Sequence, residues 1–222
     1  MMEHISTTDN TPPYELVLDI KDFYTTALKE EIEEGFLSEE DFNLKSEGEV
    51  SFYKKVLDSV EKATQENQHK KIIVLFDIDE TLVSVQRGRD SLVNILRPSA
   101  TALLSKLKEK KVTIGFLTSR AELEEQLGNE LKELNTFIDR EYLFSTRKLD
   151  VYQDEELKMK NSLPDEMKNT FVSGDYNKMK FLNQLHDTEL FKDRIFIPVD
   201  DFKYPVLYPY GVALHDKEKF FI

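Results

Sequence analysis

Residues 72–81 read IIVLFDIDET, an unbroken apolar run that ends in the carboxylates Asp77, Asp79 and Glu80. A short run of β-branched and aromatic residues bounded by polar sequence predicts a buried strand of a parallel sheet. Ligands of open α/β sheets bind just beyond the carboxyl ends of such strands, so both aspartates are expected at the mouth of a crevice. Positions i and i+2 of an extended segment point the same way, which lets Asp77 and Asp79 address one reacting group. Carboxylates so placed suit phosphoryl chemistry. One attacks and splits a difficult displacement into two easier steps, while the other protonates the leaving oxygen and then activates water. An Asp-x-Asp pair alone also fits a solvated turn or a calcium loop. The five apolar residues before it and Thr81-Leu82-Val83 after it disfavour both.

The string FDIDETLV at 76–83 resembles the first motif of the haloacid dehalogenase superfamily, whose aspartate-nucleophile phosphatases carry Asp-x-Asp-x-Thr after their first strand. Residues 112–120, VTIGFLTSR, resemble the second motif, an apolar strand ending in a hydroxyl. The resemblance implies that Thr118, with Ser119 beside it, binds the transferring phosphoryl group. Residues 195–201, IFIPVDD, are similar to the fourth motif in its Asp-Asp form, which implies that Asp200 and Asp201 help to hold a magnesium ion. The third motif supplies a lysine that neutralises nucleophile and phosphate. Lys178 and Lys180 both compete for this place, and NKMKFL at 177–182 favours Lys178, although Met179 stands where related proteins carry glycine. The resemblance covers about residues 71–215. In DIDETLV and in Arg97-Pro98-Ser99 it leans toward phosphatases that act on phosphoserine in proteins, whereas 171–201 looks more like an uncharacterised bacterial branch.

What this implies is a magnesium-dependent phosphate monoester hydrolase. Asp77 is the nucleophile, Asp79 the acid and base, and Thr118 and Lys178 offset phosphoryl charge. Asp77, the main-chain carbonyl of Asp79, Asp200 and Asp201 are the expected oxygen ligands of Mg2+, a hard ion that keeps several waters. Fewer than twenty residues separate the first motif from the next helix, so no large cap is inserted there. An open site fits a phosphoprotein or another large phosphate ester. Arg87 and Arg89 are candidates to clamp a second anionic group through their planar forks, with a solvated turn as the equal alternative. Transfer to an acceptor other than water is a further alternative. So is a fold that serves mainly to carry a partner-binding acidic arm.

Composition is consistent with one α/β catalytic domain plus an attachment. The chain has 222 residues, 40% of them hydrophobic, enough for a sizeable core. Its net charge is −13, and residues 1–70 hold 17 Asp/Glu against 7 Lys, leaving 71–222 close to neutral. An acidic balance without a basic stripe argues against nonspecific nucleic-acid binding, which draws on counterion release, and against anionic membrane surfaces. No run approaches 18 apolar residues, and MMEHISTTDNTPPYE shows neither a basic region nor an apolar core, so the expectation is a cytoplasmic chain with no membrane span. Absence of cysteine removes disulfides, thiolate metal sites and thiol nucleophiles together. His4, His69, His186 and His215 lack ligand spacing.

The elements that must position these groups form a Rossmann-like parallel sheet flanked by helices over 71–222, preceded by an acidic helical extension over 1–70. Leu16, Ile20, Phe23, Tyr24, Leu28 and Ile32 recur at helical spacing, as do Val50, Tyr53, Val56, Leu57 and Val60. Both stripes predict packed faces. Residues 61–71 are expected to be a linker, 84–97 a polar segment, 99–110 and 121–134 helices, 142–145 a short strand, 151–170 a polar flap or a solvated loop-helix excursion, and 211–215 the last strand. Tyr204, Tyr208 and Tyr210 are expected to pack their loop against the core, with a substrate wall as the alternative.

Overall fold

The computed structural model describes residues 16–20, 39–87, 92–120, 123–129, 131–146, 173–189, 191–201, 205 and 208–214. Expectations that fall on 151–170, Arg89, Tyr204, His4 and His215 lie outside these residues, as does most of the first apolar stripe. So does the Arg87 side chain. The order is α1 (Glu39–Glu66), β1 (Lys71–Phe76), β2 (Val83–Arg87), β3 (Leu92–Leu96), α2 (Pro98–Glu109), β4 (Thr113–Thr118), α3 (Leu123–Gly128), β5 (Leu143–Ser145), α4 (Ser173–His186), β6 (Arg194–Asp200) and β7 (Val212–Ala213). Two short 3-10 turns, Leu134–Thr136 and Arg140–Tyr142, lead into β5.

Five strands form one all-parallel sheet in the order β5-β4-β1-β6-β7. This is the α/β architecture expected from the sequence, and its helices cover the sheet faces. The central strand is β1, and Ile72 to Phe76 are all buried because neighbours cover both faces and both edges. The chain runs from β1 to β4 on one side and later returns as β6 on the other, so the connections diverge at β1. Beyond the carboxyl end of that strand opens the crevice in which α/β sheets hold ligands. Pro198 lies within β6, opposite Leu75 of β1, and β7 pairs only from Val199 onward. On that side, Pro198 therefore meets the edge that a residue without an N–H tolerates.

Helix α1 is part of the main core. Phe52, Tyr53, Val56, Leu57, Val60 and Ala63 are buried in the same cluster as Ile72, Val74 and Phe76 of β1 and Leu103, Leu104 and Leu107 of α2. At about 1.5–3 kcal/mol for each large apolar side chain fully buried, this stripe is worth on the order of 10 kcal/mol as an upper bound. Leu16 and Ile20 join the same cluster.

Three expectations about local structure need correction. The helix runs on to Glu66 and takes in most of the segment expected to be a linker, because Ala63 continues the buried stripe one turn beyond Val60. Asn67 then caps the end through main-chain and side-chain bonds to the Ala63 carbonyl. Residues expected to be a polar segment form a β-hairpin: β2 and β3 pair antiparallel from Val83 opposite Leu96 to Arg87 opposite Leu92. The helix expected over 121–134 ends at Gly128, the best-suited residue in that stretch for a helix stop.

Candidate active site

The apolar strands end in polar side chains at one edge of the sheet. Asp77 follows β1, Thr118 closes β4, Asp200 closes β6 and Asp201 follows it. Their main chains are held in register, since the Asp77 N–H donates to the Val199 carbonyl at 2.8 Å and the Leu214 N–H to that of Asp200 at 2.8 Å. Helix α4 then brings Lys178 in from its second turn. Lys178 Nζ lies 3.1 Å from Asp77 Oδ1 and 2.7 Å from Asp200 Oδ2, bridging the ends of the two central strands. All three of these residues are buried.

Asp77, Asp200 and Asp201 each offer a carboxylate oxygen, and these atoms lie within 4.8 Å of one another. Three acids around one ammonium leave an excess of negative charge. Burial pushes the Asp77 carboxyl up to about 7, against the lowering effect of the Lys178 ammonium. Asp201 is pushed up to about 9, first by burial and then by its hydrogen bond with Asp200. The Lys178 ammonium is held above its ordinary range: Asp200 and Asp77 raise it, overcoming the opposing effect of burial. Three carboxyl groups crowded around one ammonium, two of them pushed toward their protonated forms, make an all-oxygen donor set that a hard divalent cation relieves by displacing protons. Asp77, Asp200 and Asp201 therefore fit Mg2+.

Asp79 occupies different surroundings. Because β1 stops at Phe76, strand alternation does not carry through Ile78, and the two aspartates reach different partners. The Asp79 side chain, 46% exposed, accepts from Arg120 Nε at 3.2 and 3.0 Å and from Nη2 at 2.5 Å. Among the described residues, the acidic cluster does not include the Asp79 side chain. Only the main-chain carbonyl, already named as its expected contribution, remains for the ion.

Thr118 is fully buried at the end of β4, where its Oγ1 accepts from the Arg120 N–H at 3.3 Å. Ser119 is half-buried and its hydroxyl lies 3.4 Å from Thr146 Oγ1. Lys180 is two residues beyond Lys178 and so about 200° further round the helix. The lysine that reaches Asp77 is Lys178. Tyr208 and Tyr210 bond to helices: the Tyr208 hydroxyl to the Met179 carbonyl and Asn183, that of Tyr210 to Glu66 and Asn67.

Arg120 is the residue that sequence reasoning passed over. Its signal was present, a cation two positions after the strand-ending hydroxyl, but nothing local shows that it crosses to Asp79. Its carbonyl accepts from Ser145 Oγ at 2.5 Å, so the base of the side chain is anchored to β5.

Compared with protein-family models, with curated proteins and with solved structures, the chain gives no match.

Proposed function

We propose that this protein is a magnesium-dependent phosphate monoester hydrolase of the haloacid dehalogenase kind, working through an aspartyl-phosphate on Asp77. The observation that carries the reading is the bridge from Lys178 to both Asp77 and Asp200, with Asp201 alongside, at the carboxyl ends of adjacent parallel strands. A buried carboxylate held by an ammonium is oriented and kept from bulk water, as a nucleophile requires. Magnesium held by Asp77, Asp200 and Asp201 would offset charge on the phosphoryl oxygens.

In the first step an Asp77 oxygen forms the bond to phosphorus as the ester oxygen leaves. The leaving oxygen takes its proton from the Asp79 carboxyl group. Lys178 and the groups at the end of β4 stabilise charge on the phosphoryl oxygens, the preorganised electrostatics that usually dominate such reactions. In the second step the Asp79 carboxylate takes a proton from water, whose oxygen attacks phosphorus and releases Asp77. Before substrate arrives, the fork from Arg120 fixes the direction of the Asp79 carboxylate. An incoming phosphate ester competes for that guanidinium, and the freed Asp79 oxygen takes up the proton of the ester monoanion, which it then passes to the leaving oxygen.

The half-exposed Asp79 favours a bulky ester such as a phosphoprotein, because the proton-transfer side of the site opens outward. The test is hydrolysis of a generic aryl phosphate with magnesium, followed by phosphopeptides. Turnover that vanishes with a chelator and returns with magnesium is the expected result; equal rates with and without chelator would contradict it.

A further inference from the structure

Glu49 is a buried acid on α1, an element that precedes every reacting group in the chain, and it is only 2% exposed. Its carboxylate accepts from the Ser99 hydroxyl at the start of α2 and lies 3.4 Å from Arg97 Nη1. The other arm of that guanidinium reaches toward the site, with Arg97 Nη2 3.8 Å from Glu80 Oε2. Glu80 directly follows Asp79 and has φ of 54°, a left-handed conformation that an L-residue keeps only where its surroundings hold it.

The turn containing Glu80 is closed on itself and fastened to Arg97. The N–H groups of Leu82 and Val83 both donate to the Ile78 carbonyl, at 2.9 and 3.0 Å, and the Arg97 N–H donates to the Leu82 carbonyl at 2.9 Å. Arg97 thus grips the turn by main chain and side chain together. Among the described residues its Nε has no hydrogen-bond partner, so the side chain acts through its two terminal nitrogens, one toward Glu49 and one toward Glu80.

We infer that Glu49 is a positioning residue for the site: through Arg97 it holds the left-handed turn at Glu80 and, with it, the placement of the Asp79 carboxylate. The helix that fills the core with its apolar stripe also sets the geometry of the proton-transfer group with one acid. For its kinetic consequence this rests on the hydrolase reading; for the turn itself it does not.

Glu49→Ala would strand a buried guanidinium and threaten the fold, so Glu49→Gln, which keeps the shape and removes the charge, is the deciding variant. Two readouts are needed on the full chain. Amide hydrogen exchange should speed up roughly ten-fold at Leu82 and Val83, while β1 and β6 keep their protection. Turnover of an aryl phosphate should fall roughly ten-fold in kcat with KM little changed, and Glu80→Gln added to Glu49→Gln should cost less than the two separately. Glu47→Gln, on an exposed position of the same helix, should change neither readout. Unchanged exchange in the turn overturns the inference, as does a uniform loss of protection across the core, which would mark Glu49 as packing only. Unaltered kcat where the wild type turns over also overturns it. If the wild type hydrolyses nothing, the hydrolase reading fails and the exchange result still decides the role of Glu49.

Discussion

Asp77 and Asp79 are two residues apart and have opposite surroundings. Asp77 is buried, faces an ammonium shared with Asp200, and is crowded by a further acid at Asp201. Asp79 is nearly half-exposed and is held on both oxygens by a single guanidinium. On the proposed hydrolase mechanism, the difference separates two tasks that the Asp-x-Asp string would carry together. A dry, charge-crowded side suits bond formation to phosphorus and a divalent ion. The half-open, balanced side suits proton movement to and from a leaving group or water.

If that division is correct, the side chains should fail in different ways. Asp79→Asn should slow turnover by roughly 10²–10⁴-fold, the usual worth of a positioned general acid and base, while magnesium affinity stays near that of the wild type. A rate and a magnesium titration on the same variant measure this. A loss of only a few-fold would move proton transfer elsewhere. On the buried side, Lys178→Ala should cost roughly 10²–10³-fold, the scale expected when one preorganised charge-stabilising group is removed. Lys180→Ala, on another face of α4, should stay within a few-fold. The reverse order would mean that the bridge to Asp77 is not the one that matters.

A smaller effect, on stability, sharpens the same contrast. The Asp77 and Asp201 carboxyls are raised by burial to about 7 and about 9, from 3.8. Groups whose folded values lie above their unfolded ones make the folded state bind more protons, so their contribution is full at low pH and is lost as pH rises through the folded values. Without divalent cations the melting temperature should therefore fall between about pH 5 and pH 9, and magnesium should restore most of the loss at the upper end. Melting curves across that range, with and without the ion, give the answer. A pH profile that magnesium leaves unmoved would contradict a cation site at the three acids.

Much of this arrangement was legible in the sequence, for a local reason. An apolar run that stops at a carboxylate marks both a buried strand and the edge where it emerges, and 72–79 and 195–201 each show that transition. Lys178 is favoured over Lys180 by the resemblance of NKMKFL at 177–182 to a helix-start motif, and residues two apart on one helix point to different faces, so only one of them could meet the strand ends. The hairpin was missed because Val83, Val85, Ser84 and Gln86 alternate over only a few residues before Gly88. The end of α1 was missed because Glu61 to Lys70 is polar apart from Ala63, whose burial alone continues the stripe. The crossings from Arg120 to Asp79 and from Glu49 through Arg97 to Glu80 have no local signature. They join residues brought together only by the fold, and no spacing along the chain encodes them.

The central claim is that Asp77 forms a bond to phosphorus, and the direct measurement is a search for that bond. Wild-type protein and the Asp79→Asn variant, which should release the intermediate slowly, are mixed with an aryl phosphate and magnesium, quenched in acid and digested. Mass spectrometry should then find one phosphoryl group on the peptide containing Asp77, absent from Asp77→Asn, which should also show no turnover while remaining folded. An Asp77→Asn variant that still hydrolyses the substrate, or a phosphoryl group carried by any other residue, would contradict the account.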